Sequence, residues 1–207
     1  MLGILYVVAT PIGNLADITL RAIDVLKSVH YIAAEDTRVT YRLLKHHGIK
    51  TKCISYHDKN ETNRANELID LINDGNSIAL VSNAGTPCIS DPGYRVVHLA
   101  QKLNIEVVSI PGPSAVIAAL SICGLPTDSF YFEGFFPKKK GRQTRLKLLS
   151  DIHSSLVIYE SPLRIVKTLK DLSLYFGTDR VISICREITK KFEEVYVGVI
   201  KDCISYF

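Results

Sequence analysis

The chain has 207 residues, 47% of them hydrophobic and 22% charged, with a formal net charge of +4. So much apolar material excludes a disordered or fibrous polypeptide and supports one large packed domain or two small ones. A charge this mild excludes reading a nucleic-acid binder from the total alone, and five cysteines without a CxxC pair exclude a disulfide framework or a zinc module.

Taken in chain order, the opening "MLGILYVVATPIGN" lacks a basic leader and breaks at Pro11 and Gly13, which predicts a buried strand rather than a signal peptide. Further short apolar runs follow at "HYIAA", "TKCISY", "SIALVS" and "EVVSI", with helical-period segments between them. Asp17 is expected to cap the first helix, with Leu20, Ile23 and Leu26 on its buried face, and Gly75 to end the helix that carries Leu68, Leu71 and Ile72. Strands apolar on both faces with helical crossovers predict a doubly wound, mostly parallel α/β sheet over residues 1–112. The stretch from Ser114 is far shorter than the ~20 residues of a bilayer span, so a cytoplasmic location without a membrane partner is expected. Beyond "PGPSA" the runs "FYFEGF", "SLVIYE", "VISICRE" and "FEEVYVGV" and a helix at 163–175 predict a second, mixed-sheet α/β domain over 113–207.

In open α/β sheets ligands bind beyond the carboxyl ends of the strands. The loop after the first strand has neither GxGxxG nor GxxxxGK[ST], which gives a nucleotide site little support. The loop "LVSNAGTPCISDPG" differs in kind, because Gly85 and Gly93 permit unusual backbone while Pro87 and Pro92 stiffen it. It reads either as a rigid ligand shelf or as a long connector. Glu35 and Asp36 follow the second strand, where a carboxylate is either a general base or, for Asp36, a helix cap. His57 and Asn60 suit hydrogen bonding in a loop better than catalysis. The run "PKKKGRQTRLK" clusters Lys138, Lys139, Lys140, Arg142, Arg145 and Lys147 without an acid, and reads either as a solvated face or as a grip on nucleic-acid phosphates. Tyr131, Phe135 and Phe136 lie just upstream, some of them necessarily in the core.

The blocks "VATPIGNLADITLRA", "AAEDTR", "SYHDKNE", "LVSNAGTPCISDPG", "IPGPSAVIAAL", "FEGFFPKKKGR", "YESPLRI" and "CREITKKFEEVYVG" occur in the order seen in the small-subunit ribosomal RNA 2′-O-methyltransferase branch of the tetrapyrrole methylase family, which the chain resembles over nearly its whole length. The resemblance implies two α/β domains with S-adenosylmethionine in the cleft between them. It implies cofactor contacts from Pro11, Asn83, Ala84, Gly85, Thr86, Ile89, Ser114, Ala115, Tyr159, Ser161 and Glu187, and no metal. The implied reaction is methylation of the ribose 2′ oxygen of a cytidine in the decoding region of 16S ribosomal RNA. Asp36 and Glu35 are then the catalytic candidates, and Arg38, Lys138, Lys139, Lys140, Arg142, Arg145 and Arg164 the RNA contacts. The family is similar also in forming homodimers. Its pattern usually has Asp at the position of Asn83 and His at that of Lys59, and it continues beyond residue 207, so the second domain is expected to be truncated. A precorrin-type methyltransferase and a non-catalytic cofactor or RNA binder remain the rival readings.

Overall fold

The computed structural model describes residues 2–207. Two compact units divide between Ala115 and Val116. The first holds β1 (Leu5–Val8), α1 (Leu20–Ser28), β2 (Tyr31–Ala34), α2 (Thr37–His46), β3 (Lys52–Ser55), α3 (Glu61–Asn73), β4 (Ile78–Val81), α4 (Tyr94–Lys102) and β5 (Val107–Ile110). The strands form one sheet in the order β3-β2-β4-β1-β5, every adjacent pair parallel. Their carboxyl ends therefore share one edge of the sheet.

The alternation of side chains explains why this sheet is covered on both faces. In β4, Ala79 and Val81 join a cluster with Ala22 and Leu26 of α1 and Leu43 and Leu44 of α2. Ile78 and Leu80 point the other way, into Leu68 and Ile72 of α3 and Val96 and Ala100 of α4. All four β4 residues are buried. A fully buried Leu or Ile contributes about 1.5–3 kcal/mol, whereas an exposed ion pair contributes under about 1 kcal/mol. A one-residue slip would exchange Ala79 and Val81 with the bulkier Ile78 and Leu80 between two differently packed faces.

Local signals account for the helix ends, with one correction. Thr19, not Asp17, caps α1 by accepting a hydrogen bond from the Ala22 amide (3.1 Å), and Asp17 lies in a 3-10 turn at Leu15–Asp17. Leu20, expected on the buried face, is the first residue of α1 and is 82% exposed, while Leu26 is fully buried. At the end of α3 the chain leaves through Gly75, whose φ of 91° is left-handed backbone that suits glycine.

The second unit contains α5 (Ala115–Ile122, starting at the division), β6 (Phe130–Phe135), α6 (Arg142–Ser150), β7 (Ser155–Tyr159), α7 (Ile165–Phe176), β8 (Val181–Arg186), β9 (Glu194–Val199) and α8 (Ile200–Tyr206). The mixed sheet expected here is corrected to two separate two-stranded ladders among the described residues: β6 pairs with β7 in parallel, and β8 returns as β9 in an antiparallel hairpin. A small core of Phe136, Leu146 and Leu149 lies beside Leu156, Ile158 and Leu172.

Candidate active site

The loops after β1, β2 and β4 are tied together at the shared edge. Thr10 and Gly85 exchange two backbone hydrogen bonds, each 2.9 Å, and the Thr10 hydroxyl donates to the Ser82 carbonyl at 3.1 Å. Thr10 is 2% exposed, so these bonds are shielded from water. Gly85 has φ 82°, a conformation that side chains disfavour, and a Cβ there would sit 3.4 Å from Ile12. The Thr86 hydroxyl donates to the Pro113 carbonyl at 3.1 Å, which fastens the shelf to the "PGPSA" turn. Ser114 and Ala115 of that turn belong to the first unit.

A reciprocal latch joins β2 to β4. The Asn83 amide donates to Glu35 Oε2 (3.2 Å), and the Asp36 amide donates to Asn83 Oδ1 (3.1 Å). A carboxylate oxygen at position 83 would accept the same bond, so Asn83 gives the geometry an Asp would give there without its charge. Thr10, Pro11, Val39, Arg42, Ser82 and Asn83 contribute to the wall of a largely apolar cavity of about 200 Å³ beside this latch.

The two acidic candidates differ in what they are free to do. Asp36 caps α2, accepting from the Arg38 amide at 2.9 Å and from the Arg38 guanidinium at 3.0 and 2.7 Å. The Arg38 bonds hold its carboxyl down at about 2, with burial opposing them only in part. A carboxylate so committed is a weak proton acceptor, and the capping alternative is the one realised. Among the described residues, Glu35 accepts only from the Asn83 amide, at Oε2.

Asp91 was legible in the sequence only as a loop residue. Burial, foremost, together with the Glu35 charge and more weakly that of Asp58, pushes its carboxyl up to about 6, against a lowering contact from Ser82. Glu61 carries no local sequence signal. It accepts from the Tyr56 hydroxyl and from the Gly93 amide, both at 3.1 Å, and so anchors the far end of the shelf to α3. Gly93 must be glycine, since a Cβ would meet Cys88 Sγ at 2.5 Å and Leu80 at 2.9 Å. No sequence spacing points to Glu61, because its partners lie on two other segments, the loop after β3 and the start of α4. Asn60, by contrast, fulfils the loop role expected of it: Oδ1 accepts from the His57 amide at 2.8 Å.

In the second unit, Tyr159 packs edge-on against Phe132 and at a tilt against Phe135, with ring centroids 5.0 and 5.4 Å apart. Phe135 is 54% exposed, an aromatic face at the end of β6. Ser161 donates its amide to Glu160 Oε1 at 2.7 Å. Glu187 is exposed, sits in left-handed backbone (φ 52°) at the hairpin and pairs with Lys190 at 3.0 Å.

The basic run divides sharply. Arg142 is 7% exposed: it donates to Asp171 (2.7 Å), to the Thr168 hydroxyl (2.8 Å) and to the Pro137 carbonyl (3.3 Å), over the ring of buried Phe136. It is therefore corrected from an RNA contact to an anchor of the loop, a desolvated guanidinium held by three acceptors. Arg145 is engaged by Glu133 at 2.7 Å, which raises its pKa further, and Arg164 pairs with Glu160 at 2.7 Å. Arg38 keeps an 87% exposed side chain despite its pair with Asp36. Lys138, Lys139 and Lys140 are exposed and, among the described residues, make no ion pair.

Residues fit for a methyl donor are present on the shelf. Among the described residues the Ala84 and Thr86 amides donate to no protein acceptor, so both are available to a carboxylate, and Ile89 of the same loop is an exposed apolar side chain.

A family model, the Tetrapyrrole (Corrin/Porphyrin) Methylases, matches residues 4–204, and the chain belongs to that family. Its relatives include a protein of Synechocystis sp. named "Ribosomal RNA small subunit methyltransferase I", 49% identical over all of this chain and 74% of its own length. A protein of the same name from Vibrio cholerae is 52% identical over 98% of this chain and 71% of its own. Among solved structures, uroporphyrin-III-C-methyltransferase from Thermus thermophilus shares the fold, with a TM-score of 0.64 at 20% identity over 97% of this chain and 86% of that one. The chain is a methyltransferase, and S-adenosylmethionine is its methyl donor.

Proposed function

We propose that the protein methylates the ribose 2′ oxygen of a cytidine in the decoding region of 16S ribosomal RNA, within the small ribosomal subunit. One contrast carries this reading. Identity is 49–52% across the chain with relatives named for small-subunit ribosomal RNA, and only 20% with an enzyme named for a porphyrin, which shares the fold alone. The exposed Lys138, Lys139 and Lys140 supply matching chemistry, since cations that make no ion pair among the described residues suit a phosphate backbone.

When bound, S-adenosylmethionine supplies a methyl group already activated on a positively charged sulfur. In this reading the Ala84 and Thr86 amides receive its carboxylate, Pro11, Asn83, Gly85, Ile89, Ser114 and Ala115 complete the first unit's contribution, and Tyr159, Ser161 and Glu187 of the second unit contact the adenosine. Glu35 accepts the proton of the ribose hydroxyl. Asp36 acts on Glu35 only through the Asn83 latch, as a positioning residue. The nucleotide is expected to be unpaired, because its ribose must be accessible within a folded RNA. A cytoplasmic homodimer completes the proposal; among the described residues no helix is long and apolar enough to cross a membrane.

The test is incubation with tritiated S-adenosylmethionine and small subunits from cells lacking the modification, followed by nuclease mapping. Label on a cytidine ribose of 16S RNA supports the reading. Label on a precorrin-type substrate alone, or donor binding without label anywhere, overturns it.

A further inference from the structure

A second basic surface lies on the first unit, on helix α2, where the family resemblance implies only Arg38 as an RNA contact. Between Thr37 and His57 the sequence has Arg38, Arg42, Lys45, Lys50 and Lys52 and no acid, in a chain whose net charge is only +4. On α2 the positions 38, 41, 42 and 45 follow the spacing of one helix face. All four side chains are exposed, Tyr41 at 65%, while Thr40, Leu43 and Leu44 are buried on the opposite face. Exposed Lys50 and Lys52 follow on the next turn and strand.

An ordinary solvated helix face mixes its charges, as α3 does where Arg64 pairs with Glu67. The α2 face does not. Arg38 and Arg42 stand one turn apart, an arrangement of like charges that destabilises a helix. Among the described residues, Asp36 pairs with Arg38, and Arg42 and Lys45 have no acidic partner. The stripe also borders the site: Val39 and Arg42 share the wall of the cavity with Ser82 and Asn83. A polyanion would relieve the repulsion, and an exposed tyrosine among cations offers a ring on which an unpaired base can stack.

We propose that the face of α2 carrying Arg38, Tyr41, Arg42 and Lys45 docks the RNA strand, holding phosphates beside the latch at the strand ends. This rests on the ribosomal RNA reading and names the surface that reading leaves unassigned.

The test uses the full chain and a fragment of small-subunit RNA, with binding followed by filter retention from about 50 to 200 mM KCl. Arg42→Ala combined with Lys45→Ala is expected to reduce the slope of log affinity against log salt by roughly 1.4–1.8, which shrinks the salt sensitivity over that range about tenfold. Arg42→Lys with Lys45→Arg is expected to restore the slope, which separates charge from any disturbance of α2. Tyr41→Ala is expected to weaken binding at every salt concentration without changing the slope. A wild-type slope in the double alanine variant overturns the docking face and leaves the ribosomal RNA reading intact. Absence of salt-dependent binding and of methylation in the wild type overturns both.

Discussion

At the scale of single residues, the first unit sets three carboxylates to different tasks through their surroundings. Asp36, lowered to about 2 chiefly by its bonds to Arg38, contributes stability that is complete above its ordinary value near 4 and lost as pH falls toward 2. Asp91 works in the opposite sense. Raised to about 6 by burial and by Glu35, it binds its proton more tightly folded than unfolded, so stability falls as pH rises from about 4 to 6 and its ionised form is a cost at neutral pH. Asp91→Asn is therefore expected to raise the thermal midpoint more at about pH 7.5 than at about pH 4.5, and equal shifts at the two pH values would refute the assignment. Glu35 is the proposed proton acceptor, and Glu35→Gln is expected to lower kcat by about 10²–10⁴ while calorimetry finds S-adenosylmethionine affinity unchanged. Since Gln at 35 still offers an oxygen to the Asn83 amide, that variant leaves the latch in place; wild-type turnover would remove Glu35 from the reaction.

At the scale of elements, the loop that joins β6 to α6 shows how one buried cation gives shape to a cationic surface. Arg142 reaches back to Pro137 and across to Asp171 and Thr168 of α7, and the Thr168 hydroxyl in turn donates to Glu160 at 2.6 Å. The exposed lysines thus sit on a strap fixed from beneath. Arg142→Ala would strand Asp171 and open the space over Phe136. A cost of about 2–3 kcal/mol is expected in urea unfolding, toward the lower end for a broken buried pair because Asp171 keeps contact with solvent. Lys139→Ala, on the exposed side of the same strap, is expected to change stability by less than about 0.5 kcal/mol. Equal effects from the two would contradict the division between anchor and surface. The sequence run itself could not show that division, because Arg142 and Lys140 carry the same charge and differ only in which way the start of α6 turns them.

At the scale of the whole molecule, what was legible in the sequence follows the range of the interactions concerned. The apolar runs of β1 to β5 and the helices between them were readable because period and β-branching act locally, and a parallel sheet follows from the crossovers. The latch among Glu35, Asp36 and Asn83 was not, since it spans 47 and 48 residues. Nor was the role of Glu61, which depends on three segments meeting. Charge is intermediate: a count finds the basic runs, but only burial separates Arg142 from Lys138, Lys139 and Lys140. The same separation governs RNA affinity. Counterion release counts the phosphates a protein neutralises, wherever on the chain the cations lie, at about 0.7–0.9 of slope per contact. Replacing Lys138, Lys139 and Lys140 together by Ala is expected to lower the salt slope of binding to small-subunit RNA by roughly 2–3, with the thermal midpoint nearly unchanged. Replacing Arg142 by Met is expected to lower the midpoint, and any loss of affinity should come without a drop in slope, because its charge is already satisfied by Asp171. A full unit of slope lost with Arg142, or none lost with the three lysines, would mean that the strap meets RNA through its anchor and not through its exposed face.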